Sequence, residues 1–269
     1  MRPALRWDRV HLQFILDLPG LAAHKAAHIA AAAARGGVDS IQVRGKGLGA
    51  GDLLRATCLV MDALRDVGLP VPVLVNDRLD VALLAGADGV HLPESGWPPP
   101  WAQRCRQLAA LAAEAFPGDG PEAASQAATD VAAPRPFAVG RAIHSTAAAA
   151  LPGTEQLDYV MFGHVFATAS KAGLPPRGVA ALARAAAAAP VPVIAVGGIT
   201  PANAAQAVEA GAAGVAVIRA IRDAPDPAAA AAALREAIDR APRPAPPVGP
   251  AAGAKKGRTA GRKEDGRCG

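Results

Sequence analysis

Eight short apolar runs, rich in β-branched residues, divide this chain, and each of the first seven precedes a segment that can hold a helix. Nearly continuous apolar strands that alternate with helices indicate a parallel sheet covered on both faces. Eight such units favour a closed barrel over an open doubly wound sheet. The sequence therefore predicts a (β/α)8 TIM barrel, with strands at Gln13–Leu16, Ser40–Arg44, Val71–Asn76, Gly89–Leu92, Ala138–Ile143, Tyr159–Val165, Val191–Val196 and Gly214–Ile218.

Two glycine-containing segments support this repeat. Gly86–Val90 reads Gly-Ala-Asp-Gly-Val, and Gly211–Val215 reads Gly-Ala-Ala-Gly-Val. The first glycine of each is predicted to end a helix, because glycine tolerates the left-handed backbone found at helix C-termini. A strand is predicted to follow each glycine, and the eighth strand leads into a last predicted helix at Ala229–Arg240.

The distribution of charge separates the barrel from the end of the chain. Residues 1–241 are predicted to form the barrel, and residues 242–269, rich in Pro, Gly, Ala and Lys, a disordered tail. From residue 241 onward seven Lys or Arg stand against Glu264 and Asp265, so this region carries the whole net charge of +5. A balanced barrel has no general attraction for a polyanion, and no nucleic-acid partner is expected. The proline-bounded stretch 98–136 is predicted to hold the fourth helix and a low-complexity surface extension.

The sequence gives no indication of a membrane or of an oxidising compartment. No apolar run reaches the roughly 18 residues that cross a bilayer, and the N-terminus shows no signal-peptide pattern. We therefore expect a cytoplasmic protein without a membrane partner. The cysteines Cys58, Cys105 and Cys268 fit no metal-ligand spacing, and reduced thiols are expected.

Active sites of barrels lie at the C-terminal ends of the strands, so polar residues can be selected by position. Strand two ends in Gln42, Arg44 and Lys46, which alternate and can share a face, and strand three ends in Asn76 and Asp77. The same rule selects from the later strands His91, Arg141, His144, His164 and Lys171.

The segment Val-Gly-Gly-Ile-Thr-Pro at 196–201 is the clearest ligand-binding pattern. Glycines let the backbone approach a ligand closely, and the following helix start presents free N–H groups to an anion. Barrels often bind phosphate at the loops after strands seven and eight. Phosphate binding is therefore predicted at Gly197 and Gly198; the alternative is that the two glycines only make a tight turn.

Two further features carry alternatives. Arg44, Lys46 and Lys171 on one barrel face can bind a second anionic group, such as a carboxylate or a pyrophosphate, or can belong to solvated loops. His164 lies in the otherwise apolar segment Tyr159–Phe166. A histidine there can be a packed core residue, but at a strand end it can also transfer protons near neutral pH.

Five segments, in order along the chain, resemble the thiamine phosphate synthase and TenI superfamily over about residues 13–241. They are Ile-Gln-Val-Arg-Gly-Lys (Ile41–Lys46), Val-Asn-Asp-Arg-Leu-Asp (Val75–Asp80), Gly-Ala-Asp-Gly-Val-His-Leu (Gly86–Leu92), Asp-Tyr-Val-Met-Phe-Gly-His-Val-Phe (Asp158–Phe166) and Ile-Ala-Val-Gly-Gly-Ile-Thr-Pro (Ile194–Pro201). The resemblance implies a TIM barrel that binds a phosphorylated thiazole or pyrimidine.

Within the superfamily the chain is most similar to the thiazole tautomerase (TenI) branch. Synthase-like members use magnesium, and Gly96 stands where their second metal-binding Asp is usual, which leaves Asp77 alone. Ala142 and Arg219 likewise stand where synthases usually carry serine. The tautomerase branch is matched by Gly140–Ser145, His164 and Lys171–Val179.

This resemblance implies an isomerase of thiamine biosynthesis that aromatises a carboxythiazole phosphate tautomer by a proton shift at His164, without metal or redox cofactor. The implied substrate-binding residues are Gln42, Arg44, Lys46, Asn76, His144, Lys171, Gly197, Gly198, Ile218 and Arg219. One alternative is a thiamine phosphate synthase that uses Mg²⁺ at Asp77 to couple hydroxymethylpyrimidine pyrophosphate with thiazole phosphate. Another is a non-catalytic barrel that binds thiazole phosphate. The expected partner is a small thiazole phosphate, and a homo-oligomer is left open.

Overall fold

The eight predicted strands close a parallel barrel in chain order, with β8 pairing with β1. The computed structural model describes residues 4–115 and 137–242. The strands are β1 (His11–Asp17), β2 (Ser40–Arg44), β3 (Val73–Asn76), β4 (Gly89–Leu92), β5 (Ala138–Ile143), β6 (Tyr159–Gly163), β7 (Val193–Val196) and β8 (Gly214–Val217).

Proline explains where two strands depart from the prediction. β3 and β7 begin at Val73 and Val193, two residues later than expected, directly after Pro72 and Pro192. Proline has no N–H to donate to a β-ladder, but its carbonyl can still accept. Accordingly, Pro72 O accepts a hydrogen bond from the Ile41 amide at 2.9 Å. Both prolines therefore lie directly before the first residue of their strands.

Helices follow the strands and cover the outside of the barrel. The prediction that Gly86 ends a helix is confirmed, since this residue is the C-cap in the left-handed conformation with φ 63°. In the described residues the α-helices are α1 (Ala23–Arg35), α2 (Ala50–Asp66), α3 (Leu79–Ala85), α4 (Ala102–Ala115), α5 (Thr146–Ala149), α6 (Gly178–Ala188), α7 (Ala204–Glu209), α8 (Arg219–Arg222) and α9 (Pro227–Asp239).

The last helix begins two residues earlier than predicted because of its cap. Asp226 Oδ1 accepts hydrogen bonds from the amides of Ala228 and Ala229, at 2.9 and 3.0 Å. Pro227 occupies the first turn, where its missing N–H costs nothing. An aspartate cap followed by proline is a standard helix start, so α9 is fixed by its local sequence.

Successive side chains of each strand point alternately outward to the helices and inward to the barrel, which divides the core into two layers. Outward residues such as Leu12, Phe14 and Leu16 of β1 pack against the helices in the larger hydrophobic cluster. A smaller cluster fills the barrel interior and contains Ile15, Leu74, Tyr159, Met161, Ile194 and Ala216. The parallel register places Ile15 beside Gln42 and Gln42 beside Leu74, so polar and apolar side chains share one interior layer.

Parts of the sequence prediction lie outside the described residues. The predicted tail is one, and the predicted surface extension after α4 is another, as is Cys268. Cys58 and Cys105 are free thiols, as expected. None of the helices in the described ranges is both long and apolar enough to cross a membrane.

Candidate active site

A cavity of about 460 Å³ opens at the C-terminal ends of β5 to β8. Met161, Val196 and Ala216 from the barrel interior contribute apolar surface to it. Lys171 and Arg219 bring exposed cations to its edge, and no Asp or Glu is among the described residues that line it. Apolar surface beside unpaired cations suits a ring that carries anionic groups.

The glycine pair after β7 forms part of the cavity wall. Gly197 and Gly198 have φ angles of 100° and 67°, in the region that favours glycine. A Cβ on Gly197 would lie 2.3 Å from Cβ of His164, and one on Gly198 would lie 2.4 Å from the carbonyl oxygen of Ala167. Asn203 Nδ2 donates to the Gly198 carbonyl at 2.9 Å and holds this turn. The two residues are therefore glycines because two loops meet here.

His164 lines the cavity directly after β6. Its Nε2 lies 3.3 Å from the carbonyl oxygen of Leu174, and its own carbonyl accepts a hydrogen bond from the Arg177 amide at 3.0 Å. A carbonyl oxygen only accepts, so the Leu174 contact requires the proton on Nε2. His164 thus ties the loop after β6 back to the end of the strand.

His144 reaches the cavity from the end of β5 and is held by Glu94, which follows β4. Glu94 Oε1 accepts from the backbone amide of His144 at 3.0 Å, and Oε2 lies 2.6 Å from His144 Nδ1. The Glu94 carbonyl in turn accepts from Arg141 Nη2 at 2.5 Å. Arg141 is buried, which lowers its pKa.

A hydrogen-bonded chain of amide and ring groups, buried except for the half-buried Asn76, runs along the β1–β4 side of the barrel and includes Tyr159 of β6. Gln13 Nε2 donates to Gln42 Oε1 at 3.1 Å and to the Tyr159 hydroxyl at 3.3 Å, and Gln42 Nε2 donates to Asn76 Oδ1 at 2.9 Å. The Tyr159 hydroxyl also lies 3.0 Å from His91 Nδ1. Burial lowers the pKa of His91 to about 3 and raises that of Tyr159, so both are neutral at pH 7.

The predicted substrate-binding residues thus fall into two groups. His144, Lys171, Gly197, Gly198, Ile218 and Arg219 line the cavity together with the predicted catalytic His164. The other four do not line it. Gln42 and Asn76 belong to the hydrogen-bonded chain, Arg44 Nη1 pairs with Asp17 at 2.5 Å, and Lys46 is exposed.

The residues present do not form a magnesium site by themselves. In the described ranges, no group of three or more His, Cys, Asp or Glu could hold a metal ion. Asp77 is exposed, and its φ of 65° marks it as the one described non-glycine residue with a positive φ. Both oxygens of Glu94 already accept hydrogen bonds from His144. Asp77 is left as a single carboxylate, whereas Mg²⁺ needs several oxygen ligands.

Glu94 is the residue of this site that sequence reasoning did not assign. Its position two residues after β4 was a usable signal, because β4 and β5 are neighbours and their ends meet. A carboxylate there can reach a histidine at the end of β5. The strand-end rule selected His144 and Arg141 but not their shared partner.

Comparison with known proteins agrees with the fold. The family model described as thiamine monophosphate synthase matches residues 12–111 and 121–221. A thiamine-phosphate synthase of Anaeromyxobacter dehalogenans is 42% identical over 221 residues, covering 81% of this chain and 86% of that protein. One of Methanoculleus marisnigri is 40% identical over 211 residues, covering 78% and 86%. Among solved structures, thiamine phosphate pyrophosphorylase from Pyrococcus furiosus is similar with a TM-score of 0.63 and 25% identity, covering 86% of this chain and 96% of that one.

These relatives correct the prediction of the reaction. The predicted superfamily and TIM barrel are confirmed, but the prediction of a thiazole tautomerase, an isomerase, is wrong, because the similar proteins are named as synthases, which are transferases. That prediction depended on short matches such as His164 and Gly140–Ser145, whereas the relatives match about four fifths of the chain. The structure gives His164 a loop-holding contact with Leu174, so a histidine at this position does not by itself indicate proton-transfer chemistry.

Proposed function

Because the chain belongs to the thiamine monophosphate synthase family, we propose that it couples hydroxymethylpyrimidine pyrophosphate with thiazole phosphate to give thiamine phosphate. The ring nitrogen of the thiazole forms a bond to the methylene carbon of the pyrimidine. The bond from that carbon to the pyrophosphate oxygen breaks, and pyrophosphate leaves. The observation that carries the proposal is 42% identity to a thiamine-phosphate synthase over 81% of this chain.

The chemistry of the cavity supports this reaction. Both substrates are flat heterocycles with anionic groups, and the cavity offers apolar surface from Met161, Val196 and Ala216. We propose that Lys171 and Arg219 bind the anionic groups, together with backbone at Gly197, Gly198 and Ile218. Fixed cations around a leaving pyrophosphate stabilise the negative charge that develops as the bond breaks. The reaction removes no proton from the thiazole nitrogen, so His164 needs no general-base role here.

The β1–β4 side is proposed to orient the second ring. Gln42 and Asn76 already hold one another, and a pre-organised amide pair loses little freedom when a substrate arrives. Arg44 and Lys46 remain proposed contacts for an anionic group at this side. Their contribution requires the substrate to extend beyond the cavity between β5 and β8.

Several wider expectations stay predictions. The family resemblance implies that Mg²⁺ assists the reaction, and Asp77 would be its ligand from this chain together with oxygens of the pyrophosphate. Location in the cytoplasm and a small-molecule partner are likewise expectations, and a homo-oligomer is left open.

The test is direct coupling with purified full-length protein. The two substrates are incubated with and without Mg²⁺, thiamine phosphate is measured after oxidation to its fluorescent thiochrome, and pyrophosphate is measured independently. We expect equal amounts of the two products. Pyrophosphate without thiamine phosphate would show hydrolysis instead of coupling, and the absence of both products with Mg²⁺ present would overturn the proposal.

A further inference from the structure

Glu94 makes a two-point contact with a residue of the cavity, His144. Its two carboxylate oxygens bind two different N–H groups of one residue, the backbone amide and Nδ1 of His144, at 3.0 and 2.6 Å. A two-point contact fixes both the position and the rotation of the imidazole ring. His144 itself lines the cavity, so what Glu94 holds faces the ligand.

The contact also determines which ring nitrogen carries the proton. An ionised carboxylate accepts hydrogen bonds and donates none, so Nδ1 of His144 must carry hydrogen to bind Oε2. In the neutral ring the second nitrogen, Nε2, is then an acceptor, and it is the one left for contact with a ligand. Partners of this kind commonly set the tautomer and orientation of functional histidines.

The loop that carries Glu94 is itself anchored to β5. Arg141 Nη2 donates to the Glu94 carbonyl at 2.5 Å, and Arg141 is only 6% exposed. Its Nε and Nη1 are buried and have no hydrogen-bond partner among the described residues. Burial of a partly unsatisfied guanidinium is costly, and its bond to the Glu94 carbonyl fixes the backbone of Glu94. Arg141 and His144 thus hold the same residue from two sides.

We propose that Glu94 is a positioning residue that holds His144 as the Nδ1–H tautomer and presents Nε2 to the substrate. The role assigned to Nε2 in coupling depends on the proposed function, whereas the tautomer does not. In this role Glu94 binds His144 and not a metal ion, because both of its carboxylate oxygens already contact His144.

Nuclear magnetic resonance of the full chain, with ¹⁵N-labelled histidine, tests the tautomer without any assay of activity. The His144 signals are assigned by their loss in His144→Gln. In the wild type, at a pH where the ring of His144 is neutral, we expect a protonated Nδ1 and an unprotonated Nε2. In Glu94→Gln we expect this preference to be lost, because an amide can donate as well as accept. Glu209→Gln, the same change on an exposed residue at the end of α7, is the control and should leave the signals unchanged.

Kinetics test the functional part with a double-mutant cycle. We expect Glu94→Gln to lower kcat/KM for coupling by about tenfold, which corresponds to roughly 1.4 kcal/mol. Combined with His144→Gln it should lower the rate no further than His144→Gln alone, because residues that act through one another are not additive. Glu94→Asp should recover part of the rate. Additive losses would mean that Glu94 acts separately from His144 and would overturn the proposal.

The two experiments separate failure of this inference from failure of the proposed function. If coupling is absent altogether but the Nδ1–H tautomer is found in the wild type and lost in Glu94→Gln, the proposed function fails and the positioning role stands. If the wild type shows a proton on Nε2 and none on Nδ1, the positioning role fails, whatever the activity. That result is read from the wild type, and His144→Gln serves only to assign its signals.

Discussion

On the β1–β4 side of the barrel mouth polar side chains bind one another, whereas on the β5–β8 side they surround a cavity. Gln42 and Asn76 share a hydrogen bond, and Arg44 is paired with Asp17. Lys171 and Arg219, by contrast, are exposed at a cavity whose described lining contains no carboxylate. The β1–β4 side is a network that is already formed and is proposed to orient a ring, whereas the β5–β8 side, the open side, keeps exposed cations for anionic groups. We therefore expect changes on the open side to affect ligand binding most, and changes in the buried network to affect stability.

The largest effect is expected from Gly198→Ala on the open side. The new Cβ would lie 2.4 Å from the carbonyl oxygen of Ala167, so the loops after β6 and β7 must move apart. A shift of about 1 Å in a binding group can cost roughly 10²-fold in rate, and we expect coupling to fall by about that factor.

Gly68→Ala is the matched control, because Gly68 has nearly the same φ, 68° against 67°, and no atom of the described residues lies within 4 Å of the place that its new Cβ would take. Both variants bear the cost of a left-handed alanine, about 1–2 kcal/mol. Chemical denaturation and coupling rates are measured for both. Equal activity in the two variants would show that the close approach of the loops is unnecessary for function.

A smaller effect is expected from removing the open-side cations. Lys171→Ala and Arg219→Ala should each raise KM by about 10- to 100-fold, since a hydrogen bond to a charged group is worth about 1.5–3 kcal/mol. Saturation curves for each substrate in turn show which anionic group each cation binds. Arg184→Ala, which removes an exposed cation from α6, should leave both KM values unchanged. If neither cavity variant changes KM, the open side is not where the anions bind.

The sequence predicted the barrel well because its signals are local. The alternation of apolar runs with helical stretches, and glycine at the helix end of Gly86, each act within a few residues. Strand β2 matches its predicted bounds, as do β4 and β5. The missed starts of β3 and β7 came from overlooking that proline cannot donate to the ladder.

The site was harder to predict because its contacts join separate strands. The strand-end rule selected Arg44 from β2 but could not show that Asp17 of β1 lies opposite it in the register. It also selected His144 without Glu94, since that contact depends on the shape of the loop after β4. The reaction was predicted wrongly because motifs of a few residues were weighed above the similarity of the whole chain.

The smallest effect on activity, and a measurable one on stability, is expected from His91→Gln in the buried network. Burial holds the pKa of His91 at about 3 in the folded barrel, against about 6.5 in the unfolded chain. Between these pH values His91 is protonated in the unfolded chain and neutral in the folded barrel. The free energy of unfolding therefore falls as pH falls from about 6.5 toward 3. One such group contributes up to about 1.4 kcal/mol per pH unit in that window.

The measurement is the free energy of unfolding of wild type and His91→Gln at several pH values between 7.5 and 4.5. The wild type should lose more stability on acidification than the variant. Burial also lowers the pKa of His11, but His11 is present in both proteins, so its contribution cancels in the difference between them. Coupling at pH 7.5 should change little, because His91 does not line the cavity. Parallel pH curves would mean that His91 takes up a proton in the folded barrel, and the β1–β4 side would then not be the neutral network that its hydrogen bonds describe.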